Sequence, residues 1–92
     1  MLESNLQRHI LNYLKPRCWV VKVIQANDRG CPDIFACIDG QFVGIEVKPP
    51  GEKPTAIQAA QHKAIEKAGG RVYIIHSLEE LKKELTSSSR KT

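Results

Sequence analysis

The chain has 92 residues, which is one compact domain's worth, and its 14 Lys and Arg against 10 Asp and Glu leave a net charge of +4 that leans toward an anionic partner without identifying one. No stretch approaches the roughly 18 apolar residues of a membrane-spanning helix, so a helical span is excluded and no membrane partner is expected. Three cysteines (Cys18, Cys31, Cys37) without a close C-x-x-C pair exclude a zinc ribbon or dithiol redox centre and read as buried thiols of a cytoplasmic protein.

In chain order, Leu2, Leu6, Ile10, Leu11 and Leu14 recur at helical spacing and are followed by Pro16, giving an amphipathic first helix from about Leu2 to Leu14. Trp19 to Ile24 is rich in β-branched residues and reads as a strand, and Ala26 to Gly30 as a polar, mobile loop. Asp39-Gly40, lying between two apolar runs, is a hairpin signal, because both central positions of a type I′ turn need positive φ. The flanking strands cover Asp33 to Ile38 and Gln41 to Lys48. Pro49, Pro50, Gly51 and Pro54 then make a loop, and Thr55 caps a helix that ends near Ala68 before Gly69-Gly70. Arg71 to His76 reads as a buried strand. Ser77 and Glu80 have capping-box spacing at the head of a last helix, Leu78 to about Leu85.

The reading is an α/β fold of order αβββαβα, a mixed β-sheet flanked by helices, with residues 1–86 forming the domain and 87–92 a polar tail. Folding at this length buries only about 60 to 70% of the chain's surface, so the core is thin and homodimerisation is expected. Trp19, Tyr13 and Tyr73 are expected in the core or in a dimer contact.

The hairpin fixes a countable register. With Asp39-Gly40 as the turn, Ile38 faces Gln41, Ile34 faces Ile45, and Asp33 falls opposite Glu46. Cross-strand Cβ atoms lie about 4.5 to 5.5 Å apart, and like charges at such positions oppose folding. A divalent cation held between the two carboxylates removes the conflict, with Mg²⁺ or Mn²⁺ the natural choice for oxygen ligands. Strand alternation puts Lys48 on the face of Glu46 and turns Val47 to the core, its carbonyl a further candidate ligand. Two carboxylates and an ammonium suit phosphodiester hydrolysis, in which Lys48 orients water and offsets charge on the phosphoryl oxygens.

Gly30-Cys31-Pro32-Asp33 followed by Glu46-Val47-Lys48 resembles the PD-(D/E)xK nuclease superfamily, whose fold is restriction-endonuclease-like, and more closely its VRR-NUC (virus-type replication-repair nuclease) branch in small stand-alone phage members. The resemblance covers nearly the whole chain. It implies a metal-dependent DNA endonuclease, selective for branched DNA in the manner of a Holliday junction resolvase, acting in phage replication or repair in the host cytoplasm with no small-molecule substrate. It also implies a metal-binding role for Glu3 on the first helix and a water- or phosphate-positioning role for Gln58, with Gln61 as substitute. Glu3 equally fits a charge favoured by the first turn's dipole, and Gln58 an ordinary surface residue.

Arg29, Lys53 and Lys63 are candidate contacts to the DNA backbone, and Gly30 would let that backbone approach closely. The histidines, His9, His62 and His76, read as structural or solvated, although His62 lies four residues from Gln58 on the same helix face, within reach of a phosphate; none lies beside the motif in sequence, which ranks metal-free RNA cleavage lowest. The alternatives are a non-catalytic DNA-binding accessory module with the same fold, or a nicking or flap nuclease.

Overall fold

The computed structural model describes residues 3–89; Leu2, expected in the first helix, and residues 90–92 of the expected tail lie outside the described residues. The elements are α1 (Glu3–Leu14), β1 (Trp19–Lys22), β2 (Ile34–Ile38), β3 (Gln41–Val47), α2 (Ala56–Lys67), β4 (Arg71–Ile75) and α3 (Leu78–Ser89), the expected order. They build one four-stranded sheet in which β1, β2 and β3 are antiparallel neighbours and β4 pairs parallel with β3. That parallel pair needs a crossover, and α2 supplies it.

Alternation along the strands sorts the sheet's two faces. Val20, Ile34, Ala36, Val43, Ile45, Val47 and Ile75 are buried on one face together with Leu6, Ile10 and Leu14 of α1 and Leu81 of α3. The other face carries Glu46, over which α2 lies, and an apolar region around Phe35 and Phe42, whose rings meet edge to face at 5.3 Å. Trp19 is not a core residue: it is 59% exposed, next to partly exposed Val21. Cys37 shares this face and is exposed, whereas Cys18 and Cys31 are half-buried, so the three thiols are free but not all buried as expected. Burial raises the Cys18 pKa above its usual value.

The ends of the elements hold three further differences. The first strand stops at Lys22 because its partner β2 begins at Ile34; the last bond on that edge runs from Val23 N–H to Asp33 O at 2.8 Å, leaving Ile24 91% exposed. Helix α3 continues a turn past Leu85 into the expected tail, with Leu85 packed on the core and the Thr86 hydroxyl donating to Lys82 O. Its capping box is half formed. Ser77 Oγ accepts from Glu80 N–H, but the Glu80 carboxylate reaches back to His76, accepting from its N–H at 2.8 Å and facing Nδ1 at 3.2 Å.

Asp39 and Gly40 have φ of 52° and 79°, the type I′ signature, and β2 pairs with β3 in the counted register from Ile38↔Gln41 to Ile34↔Ile45. Across this hairpin Gly44 stands between Phe35 and Val72, where a Cβ would lie 2.8 Å from Pro32 Cγ. Pro32 is fully buried, so Gly44 makes the hollow into which the residue before Asp33 is pressed. Gly44→Ala should therefore cost about 1 to 3 kcal/mol in urea unfolding, as overpacked interiors do. Wild-type stability in this variant would show that Pro32 yields without strain.

Candidate active site

Asp33 lies one residue before β2 and is fixed from both ends of its structure. Its carbonyl accepts from Val23 N–H, and its Oδ2 accepts from Val47 N–H at 2.8 Å. The Asp33 carboxylate thus bends across the mouth of the hairpin onto the backbone between Glu46 and Lys48. Val47 itself is buried in the core, as alternation requires, and the next amide, Lys48 N–H, donates to Ile75 O at 3.0 Å and anchors the end of β3 to β4.

Glu46 is 1% exposed, an unusual position for a carboxylate, and α2 holds both its oxygens. Gln58 Nε2 donates to Oε2 at 3.3 Å, and His62 Nε2 lies 3.2 Å from Oε1. The Gln58 amide is oriented by the cap of its own helix. Thr55 Oγ1 accepts from Gln58 N–H, and Gln58 Oε1 accepts from Thr55 N–H at 2.9 Å, a capping box that leaves the Gln58 NH₂ for Glu46. Sequence reasoning placed no histidine beside the motif. The fold does, with His62 6% exposed.

The electrostatics match this burial. The Glu46 pKa is raised from 4.5 to about 8, first by desolvation, then by the Asp33 charge and a hydrogen bond with Asp33, with Lys48 acting in the opposite direction. Burial lowers the His62 pKa below 6.5, Glu66 opposing and Lys48 reinforcing the shift. Near neutral pH and without a cation, the contact between the two side chains is accordingly a hydrogen bond between a carboxylic acid and a neutral imidazole rather than an ion pair.

A hard divalent cation fits this donor set. It would reverse the charge-based causes that keep Glu46 protonated, and oxygen ligands suit Mg²⁺ or Mn²⁺. Among the described residues no three His, Cys, Asp or Glu side chains are grouped to hold a metal, so the protein would offer two carboxylates and leave the other positions to water and phosphate, as Mg²⁺ commonly accepts. Glu3 is not brought into a cluster with Asp33 and Glu46. It is exposed, pushes the Glu46 pKa less than Asp33 does, and lines with Lys48, His9, Pro49 and His76 a cavity of about 170 Å³.

The remaining candidates surround this centre. Arg29, Lys53 and Lys63 are exposed, on the loop before Asp33, the loop after Lys48 and α2. Gln61 Nε2 donates to Arg29 O at 3.1 Å, so the loop expected to be mobile is tied to α2, and Gln61 is taken up by that tie. Gly30 has φ of 85°, and a Cβ there would come within 2.8 Å of Ile57 O. The close backbone approach that Gly30 permits is made by the chain's own α2.

No protein-family model matches the chain. A phage protein described as "Putative nuclease p44", from Acyrthosiphon pisum secondary endosymbiont phage 1, is 29% identical over 77 residues, covering 82% of this chain and 83% of the relative. A solved structure described as "VRR_NUC domain" superposes with a TM-score of 0.80 at 23% identity, over 91% of this chain and 94% of that one. A second, "VRR_NUC domain protein", gives 0.78 at 15% identity over 94% and 86%. Hjc from Archaeoglobus fulgidus, described as a Holliday junction resolvase from an archaeal hyperthermophile, gives 0.61 at 25% identity over 80% and 67%. The restriction-endonuclease-like fold expected from the Pro-Asp and Glu-Val-Lys segments is the fold found, and the likeness to VRR-NUC domains holds along nearly the whole chain.

Proposed function

We propose that this chain is a phage-type VRR-NUC nuclease that hydrolyses phosphodiester bonds in DNA with Mg²⁺ or Mn²⁺ at Asp33 and Glu46. The observation that carries the reading is the buried Glu46 carboxylate beside Asp33, an arrangement that opposes folding at neutral pH and becomes useful when a cation is shared. The names of the phage relative and of the structural neighbours support it.

In this reading Asp33 and Glu46 would hold the ion, with Val47 O as a further candidate ligand. Val47 N–H keeps Asp33 Oδ2 directed at the site. When bound, the cation supplies Lewis acidity at the scissile phosphate and lowers the pKa of a nearby water. Lys48, on the same face of β3, orients the attacking water and offsets charge on the phosphoryl oxygens. Gln58 steadies the Glu46 side of the site while positioning water or phosphate. Arg29, Lys53 and Lys63 track the sugar-phosphate backbone, which confers little base selectivity and suits recognition of DNA shape.

The substrate is branched DNA, with a four-way junction favoured, cut by a homodimer in the cytoplasm of the infected cell. A two-fold dimer presents two sites to two symmetric strands, and the exposed Trp19, Val21 and Phe42 give such a dimer apolar surface to bury. The test is cleavage of an end-labelled four-way junction beside flap, linear duplex and single-stranded controls in Mg²⁺ or Mn²⁺. Paired symmetric cuts confined to the junction are expected. Equal nicking of linear duplex would contradict structure selectivity, and binding without cutting would favour an accessory module.

A further inference from the structure

We propose that His62 is a positioning residue for this reaction: it sets the orientation of the Glu46 carboxylate toward the cation and so tunes metal affinity, an inference that rests on the metal-dependent nuclease reading. His62 follows Gln58 by one helical turn, so the two side chains emerge from the same face of α2. They take one Glu46 oxygen each, Nε2 of His62 at 3.2 Å from Oε1 and Nε2 of Gln58 at 3.3 Å from Oε2. Two contacts on two oxygens fix both the position and the plane of a carboxylate. One contact would leave it free to swivel.

The two contacts are compatible with metal binding. Each carboxylate oxygen has two acceptor lone pairs, so Glu46 can accept from His62 and Gln58 and still ligate a cation. An ionised Glu46 requires the tautomer of His62 that carries its proton on Nε2. The aim of the clamp is inherited from the fold, because the Gln58 amide is locked by Thr55 and both partners ride on one helix. Outer partners of this kind typically hold about 10- to 100-fold in metal affinity or activity.

The competing view, a buried histidine that merely fills space, is separated by two variants. His62→Leu keeps apolar bulk and removes the donor; His62→Gln returns an Nε2 donor at similar reach. In Mn²⁺ titrations by calorimetry, His62→Leu should bind about 10- to 100-fold more weakly than wild type and His62→Gln should recover most of the loss. Wild-type affinity in His62→Leu, or no recovery in His62→Gln, would overturn the inference while leaving the metal centre standing. Wild-type protein that binds no Mn²⁺ would overturn the metal-centre reading itself, and this inference with it. Because a variant can fail to fold, wild-type protein carries an independent readout. Mg²⁺ should shift the ring-nitrogen resonances of His62, and Mg²⁺ that moves the amides around Asp33 and Glu46 but not the His62 ring would also overturn it.

Discussion

Glu46→Gln should abolish DNA cleavage and at the same time stabilise the cation-free protein at alkaline pH. The activity loss follows from removing a charged ligand, and should exceed the roughly 10- to 100-fold lost when only an outer partner of a ligand is removed. The stability gain follows from the direction of the Glu46 pKa shift. Its pKa rises from 4.5 to about 8 on folding, chiefly through burial and then through Asp33, so between those values the folded state keeps a proton that the unfolded chain has released. Stability from that proton is fully present below pH 4.5 and is lost as pH rises through about 8. Glutamine has no charge to bury, so by pH 9 the variant should exceed wild type by at most about 5 kcal/mol. His62 titrates with the opposite sense, its contribution present above pH 6.5 and lost on acidification, so it does not account for a gain that grows toward pH 9. Urea unfolding in EDTA from pH 5 to 9 reads the difference. Parallel pH profiles would contradict the assignment, and an unfolded variant would make Glu46 a structural residue.

Lys48→Ala should separate chemistry from metal binding. An ammonium cannot ligate a cation, so its loss should leave Mn²⁺ affinity nearly unchanged. Turnover should fall by about 10²- to 10³-fold, as expected when a preorganised group that stabilises developing charge is removed. Single-turnover cleavage and a Mn²⁺ titration on the same preparation decide the point. A collapse of metal binding would reassign Lys48 to holding the two carboxylates together.

The central geometry was legible in the sequence because one turn fixes it. Asp39-Gly40 admits few conformations, and counting from it aligns Ile34 with Ile45 and brings Asp33 to the end of β3 beside Glu46. Counting could not show that the Asp33 carboxylate turns onto Val47 N–H, since a side-chain rotamer leaves no trace in periodicity. The contact of His62 with Glu46 was hidden for a different reason. Helical amphipathicity assigns polar residues to solvent, yet α2 turns Gln58 and His62 inward over a charged residue and leaves Ile57 45% exposed. The spacing of Gln58 and His62 was the available signal, and it gains meaning only with an acid opposite. Gly30 reads from sequence as a loop residue that admits the DNA backbone and Gly44 as one position of a strand, while the structure shows each making room for one neighbour, Ile57 and Pro32. The extra turn of α3 depends on Leu85 reaching the core, which local preferences past Leu85 do not encode.

A cation acting through Asp33 and Glu46 is tested most directly by cleavage of one labelled four-way junction by wild type and Glu46→Gln, purified in parallel, in Mg²⁺, Mn²⁺ and EDTA. Wild type should cut with either metal and not in EDTA, and the variant should cut under no condition although it folds and still binds the junction. Cutting that survives EDTA, or a Glu46→Gln protein that cuts like wild type, would contradict that role of the cation.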